Sequence, residues 1–349
     1  MLLILFLAGG RANAQAPATS TSSIFSTPSS SSAWAVTIVL PERAIAGQPA
    51  MLAVLGADGR LASGLNVEVG SGQVTTDETG RAYFTVPSTG QILLAKASGA
   101  SAVALIDAAA AGISRALSAP EVASLREPFS ICGPGFGHDA EAVHVRINQE
   151  PALVMAASPE CLAVLPSRKT TAGPAKIAIS STITPGEQWK ASTTLVSLDP
   201  EMPGANPLPG QKMILKVRVR GSEKRLRVAI ENEVPGVLRF PGGDVQEALT
   251  SGGPENIATM QAQAIRSGDF SFAAKLLPAP NEDMARAYLQ AALPLAEQPM
   301  QKNLNRLMKE LERHPQNLDR VRRGIDGMLS NTAAGDFRTV LAAARMALS

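Results

Sequence analysis

A chain of 349 residues exceeds what one ordinary hydrophobic core organises, so the sequence is expected to divide into several domains. Aromatic residues make up only 4% of it, while glycine (29) and proline (25) are frequent, which favours turn-rich cores of Val, Ile, Leu and Ala over a large enzyme fold. A formal net charge of +2, with no basic tail, argues against a chain-wide nucleic-acid footprint.

In chain order, Leu2 to Ala8 form a short apolar run, and Ala12-Asn-Ala14 places small residues where a signal peptidase cuts. Residues 1–14 are therefore expected to be a signal peptide, although no basic residues precede the run, and the protein is expected in the periplasm or at the cell surface. No later run approaches the roughly 20 apolar residues that a membrane-spanning helix needs. Residues 15–33, dominated by Ser, Thr, Ala and Pro, cannot bury enough apolar surface to offset their ordering entropy and are expected to be a disordered spacer.

Residues 34–112 read as a first β-sandwich. Val36, Ile38 and Leu40 alternate, Met51 to Leu55 makes a second strand, and Gly64 to Val69 a third. Asp77-Glu-Thr-Gly80 suits a turn whose last residue needs positive φ, after which Ala82, Phe84 and Val86 alternate inward. Gln91 to Ala95 and Ala102 to Ile106 complete the strands. The run Thr76-Asp-Glu-Thr-Gly-Arg-Ala-Tyr-Phe-Thr-Val-Pro87 resembles a hairpin of bacterial immunoglobulin-like and carboxypeptidase-regulatory-like modules.

Residues 113–198 form the second module. Phe129-Ser-Ile-Cys-Gly-Pro-Gly-Phe136, the Val143 to Ile147 strand, Leu162 to Pro166 and Gly173 to Ile179 follow one another as strand, glycine corner and further strands. Together they resemble the IPT/TIG immunoglobulin-like domain, apart from a long excursion over residues 182–192 that reads as an extended hairpin. The resemblance implies a sandwich fold and a modular role as spacer, adhesion module or partner-binding surface; it implies no catalysis.

A Pro/Gly-rich linker from Asp199 to Gly210 opens the third region, residues 199–280. Met213 to Arg220 and Arg225 to Ile230 alternate, and Gly221-Ser-Glu-Lys224 between them reads as a hairpin turn. On that pairing Leu215, Val217 and Val219 face inward with Leu226, Val228 and Ile230, while Lys216, Arg218, Arg220, Arg225 and Arg227 share the outer face. Further strands are expected at Gly236 to Phe240, Ile257 to Ala264 and Asp269 to Leu277. Over residues 281–349 the period changes to that of helices. Leu304, Leu307, Met308 and Leu311 mark one apolar stripe, Leu318, Val321, Ile325 and Met328 the next, and Phe337, Val340, Leu341, Ala344 and Leu348 the last. Asn281 is placed to cap the first helix and Pro315 to start the third, giving a compact bundle of four helices. The fold class is thus mainly β: tandem immunoglobulin-like β-sandwiches followed by a small C-terminal α-helical bundle.

The chemistry is sparse. Cys132 and Cys161, an even pair in an exported chain, read as a disulfide; two separate buried thiols, or a metal site with His138 and His144, are the other readings. His138, His144 and His314 are the only histidines, and no nucleophile elbow, phosphate loop or zinc-protease motif accompanies them. No cofactor or metal is expected. The best candidate site is the basic outer face of Lys216, Arg218, Arg220, Arg225 and Arg227, which could hold sulfate, phosphate or uronate groups; a solvated face that blunts edge pairing is the plainer reading. The function expected is that of an exported, non-enzymatic cell-envelope protein offering binding or spacer surfaces to a protein partner. An accessory glycan- or polymer-binding protein of a polysaccharide-processing or secretion system is the alternative.

Overall fold

A computed structural model describes residues 26–27, 36–108, 116–182, 186–202, 207–313 and 317–349. The expected signal segment, most of the expected spacer, His314 and Pro315 lie outside the described residues. Alternating apolar positions give three two-layered sandwiches, and the 3.6-residue stripes give the helical bundle that follows them.

In the first sandwich the strands are β1 (Ser26–Thr27), β2 (Thr37–Val39), β3 (Arg43–Ile45), β4 (Pro49–Leu55), β5 (Asn66–Val69), β6 (Gly72–Thr75), β7 (Arg81–Thr85), β8 (Ile92–Ala97) and β9 (Ala100–Asp107). One layer runs β9-β8-β5-β6 and the other β2-β4-β7. Ile38, Leu52, Val54, Val67, Phe84, Leu93 and Ala104 fill the space between them. Two residues of the expected disordered spacer, Ser26–Thr27, pair antiparallel with β9, so the spacer is not unstructured throughout.

The second sandwich contains β10 (Val122–Ser124), β11 (Phe129–Cys132), β12 (Val143–Ile147), β13 (Glu150–Ala157), β14 (Cys161–Leu165), β15 (Gly173–Ser181) and β16 (Gln188–Glu201). Strand β13 changes layers. Its first residues pair with β12, its later ones with β14, and a bulge between Val154 and Ala156 makes the switch. In both of these sandwiches a short early strand joins the last strand in parallel: β3 on β9 and β10 on β16. Of the excursion over residues 182–192, Gln188 to Ser192 belong to β16 and pair with β15, with Ser180 opposite Gln188 and Lys176 opposite Ser192; residues 183–185 lie outside the described residues.

The third sandwich sets β17 (Lys212–Arg220), β19 (Leu238–Arg239) and β21 (Ile257–Ala264) against β18 (Arg227–Asn232), β20 (Val245–Leu249) and β22 (Phe272–Leu276). Strand β16 runs unbroken for 14 residues through the second and third sandwiches, pairing first with β15 and then, over Ser197 to Glu201, with β17. Asp199 to Glu201, expected in a linker, are therefore strand. At about 3.3 Å per residue this strand is a spar of about 45 Å shared by two units.

Helices α1 (Glu282–Ala292), α2 (Gln298–Arg313), α3 (Leu318–Ser330) and α4 (Asp336–Ala347) close the chain. The Asn281 side chain caps α1 by accepting the Met284 N–H at 3.0 Å. The predicted stripes form one core, with Leu304, Leu311, Val321, Ile325, Val340 and Leu341 buried together. That core also contains Val103 and Leu105 of β9, with Ile92 and Leu94 of β8 packed against it. The bundle thus covers the outer face of the first sandwich. Ser101 and Thr339 share a hydrogen bond of 3.0 Å across the contact, and Lys96 pairs with Asp336. On its other side Arg345 reaches Glu247 of β20 at 2.6 Å.

The first and second sandwiches also touch directly. Ala157 of β13 pairs with Met51 of β4, and Val39, Leu55 and Met155 share a small apolar cluster. Arg81 donates to the Val154 carbonyl at 2.9 Å, and the Ser158 hydroxyl donates to the Arg43 carbonyl at 2.6 Å. The four units therefore form a closed body.

Candidate functional site

Strands β11 and β14 are antiparallel, and their register sets Cys132 directly opposite Cys161, with Cα atoms 4.1 Å apart and the disulfide formed. Both sulfurs are occupied, so the alternative of a thiolate metal site with His138 and His144 loses its sulfur ligands. His144 is exposed on β12, and His138 stacks edge-on against the Tyr83 ring at 6.2 Å.

The five cations of the expected basic face are not brought together. Strand β17 pairs with β16 and β21, whereas β18 pairs with β20 and β22 in the opposite layer. Gly221 to Lys224 is accordingly a crossover between layers, not a hairpin turn. The inward parity of Leu215, Val217, Val219, Val228 and Ile230 is as expected, because all five enter one core. Two strands facing that core from opposite layers show the same alternation as two neighbours in one layer, so parity alone could not separate the cases. Lys216, Arg218 and Arg220 consequently lie on one layer, and Arg227 on the other, with Arg225 in the crossover just before it. Carboxylates meet three of them: Arg218 pairs with Glu201 at 2.7 Å, Arg220 with Asp199 at 2.8 Å, and Arg227 with Glu247. Arg225 donates to the Ser251 carbonyl at 3.3 Å, and Lys216 stands opposite Glu201 in register.

A different place draws residues from all four units. Where the sandwiches and the bundle meet lies a cavity of about 680 Å³, within the range of small-molecule sites. The first sandwich contributes Arg43, the second Glu127 and Ser130, the third Arg227 and Leu277, and the bundle Tyr288. Ser130 sits on β11, and the Pro278-Ala-Pro280 segment leads from β22 into α1, whose apolar stripe carries Tyr288. Both hydroxyls are buried, and neither has a hydrogen-bond partner among the described residues. Tyr288 is 1% exposed, and burial, with the nearby Glu42 adding and Arg43 opposing, pushes its hydroxyl pKa upward. The half-buried Glu127 carboxyl is pushed up to about 7 by loss of solvent, against the partial pull of Lys275 and a hydrogen bond from the Leu276 N–H.

Of these cavity residues the sequence singles out Arg227 alone as a site candidate, as part of the basic face. Glu127 precedes β11 and Ser130 lies within it, without a spacing that announces chemistry. Tyr288 offered a signal: it is one of two tyrosines in the chain and stands on an otherwise apolar helix stripe.

No protein-family model matches the chain, and no curated protein sequence does. Among solved structures the chain is similar to SGBP-B of the Bacteroides ovatus mixed-linkage glucan utilization locus, in complex with a mixed-linkage heptasaccharide. The identity is 10% and the TM-score 0.25, over 67% of this chain and 73% of that one. Fibronectin(III)-like modules of Clostridium thermocellum CbhA are 17% identical with a TM-score of 0.17, over 46% of this chain and 93% of that one. Invasin, a bacterial integrin-binding protein, is 12% identical with a TM-score of 0.19, over 70% of this chain and 57% of that one. None of these likenesses carries a ligand or a partner across to this chain.

Proposed function

We propose that the protein is an exported, non-enzymatic binding protein of the cell envelope whose tandem immunoglobulin-like sandwiches hold recognition surfaces in fixed relation for a protein partner. The observation that carries this reading is closure: the bundle shares one core with the first sandwich and an ion pair with the third, while β16 is common to the second and third. Such a body does not flex like beads on a string, and fixed units present loops and strand faces at set distances. The Cys132–Cys161 disulfide suits an oxidising compartment and supports export alongside the apolar N-terminus. We assign the second sandwich to the IPT/TIG type on its glycine corner and strand order.

The test is cross-linking in intact cells with a membrane-impermeant amine-reactive reagent. The expected outcome is one discrete adduct, formed only when residues 1–14 are present. A protein that stays behind the inner membrane, or that forms no discrete adduct, sinks the reading.

A further inference from the structure

We propose that the outer face of the sheet formed by β12, β15 and β16 in the second sandwich binds an acidic polysaccharide, a sugar chain carrying carboxylate groups. This face is separate from the protein-partner role above, and the proposal does not depend on that role.

Strand register carries the argument. Val143, Val145, Ile147, Ala175, Ile177 and Ile179 turn into the core, so the residues between them turn outward. Arg146 stands opposite Ala178, and Ala178 stands opposite Lys190, which places the three in one outward row across the strands. Lys176, two residues along β15, is the diagonal neighbour of both cations, about 7–8 Å from each at the backbone. Three exposed cations thus surround Ala178, whose single methyl leaves the centre open.

Strands β12 and β15 and the Gln188 to Thr194 arm of β16 contain no Asp or Glu. Among the described residues none of the three cations has an ion pair. The basic residues of β17 differ, because Glu201 and Asp199 meet Arg218 and Arg220 there. Edge protection does not account for Arg146 and Lys176 either. Strand β12 has β13 and β15 on its two sides, and β15 has β12 and β16. Three like charges within a Debye length of about 8 Å repel one another, and a carboxylate above Ala178 replaces that repulsion with attraction.

The surroundings select the kind of anion. Ser180, Gln188 and Ser192 stand in the neighbouring rows and offer hydroxyl and amide groups to sugar hydroxyls. A protein interface centres on large aromatic or aliphatic anchors. Here Leu153 of β13, at the margin, is the only exposed large apolar side chain among the described residues of β12, β13, β15 and that arm of β16.

The probe is polygalacturonate, titrated into the intact oxidised protein at about 0.15 M ionic strength. Saturable binding is expected, with none of uncharged dextran. Polyglutamate, which has carboxylates but no sugar hydroxyls, should bind at least about tenfold more weakly. Arg146→Ala, Lys176→Ala and Lys190→Ala should each weaken polygalacturonate binding about fivefold, and the triple variant should lose it. A control removes three exposed cations from α2 together, Lys302→Ala, Arg306→Ala and Lys309→Ala, and should change affinity by less than about twofold. No saturable binding, equal affinity for polyglutamate, unchanged binding in the sheet triple variant, or an equal loss in the α2 triple variant overturns the proposal. If thermal unfolding shows that the sheet triple variant is not folded, the three single variants decide.

Discussion

Glu127 links the cavity to the pH dependence of the whole fold. Its carboxyl gives up a proton near 4.5 in the unfolded chain and near 7 in the folded protein. Between those values the unfolded state holds fewer protons than the folded one, so stability falls as pH rises through the window. The group costs nothing below about 4.5, and its penalty, on the order of 3 kcal/mol, is complete above about 7. Glu127→Gln is expected to flatten this slope and to be the more stable protein at about pH 8, as urea unfolding at about pH 5 and about pH 8 would show; parallel pH profiles count against the assignment. A second residue, Gly221, makes the crossover of the third sandwich possible. Its φ is 96°, and an added Cβ would fall onto the Leu195 carbonyl and within 2.7 Å of the Gly173 nitrogen. Gly221→Ala combines strain and collision with backbone at the junction of two sandwiches and is expected to cost about 2–4 kcal/mol in chemical denaturation. In the sequence Gly221 is visible as a turn glycine, but the direction of the turn is not.

At the scale of elements, most strands and the apolar stripes of α2, α3 and α4 could be read from residue spacing, while the stripe of α1 could not be placed beyond its Asn281 cap. The alternation of Ala82, Phe84 and Val86 and the spacing of Leu304, Leu307 and Leu311 each report a face that must be buried. Which neighbour buries it is not encoded in that spacing. Strands β17 and β18 show this within one sandwich, and β9 shows it over a longer range. Val103 and Leu105 occupy one parity of β9, Ala102 and Ala104 the other, and every one of these four is buried. The small residues face the sandwich interior and the larger pair receives the bundle. A strand apolar on both faces announces two covers without naming the second. Leu105→Asp places a carboxylate in that contact and is expected to cost about 3–5 kcal/mol. The bundle should then become the first segment cut in limited proteolysis, whereas a cleavage pattern like that of the parent protein would argue that docking is incidental.

At the scale of the molecule, three sandwiches and a bundle could be anticipated, but their closure could not. The contacts that close the body join residues from opposite ends of the chain, and the cavity exists only once all four units are assembled. A site built that way leaves no local motif, which is why Ser130, Glu127 and Tyr288 escaped notice while the adjacent cysteines did not. The disulfide is the covalent counterpart of this arrangement. It links residues 29 apart, and in the chain-entropy description its reduction should lower stability by about 3–4 kcal/mol. Equilibrium unfolding with and without a phosphine reductant measures that difference, and coincident curves would show that the bond constrains little.

The docking of the bundle on β9 also sets a timetable. Ser101 meets Thr339 across 238 residues of sequence. At ribosomal rates of about 5–20 residues per second, the segment that covers Val103 and Leu105 emerges roughly 10–50 s after the strand it protects. For that interval the first sandwich is complete as a sandwich yet carries a bare apolar flank. Whatever handles the nascent chain must shield that flank until the final helices arrive.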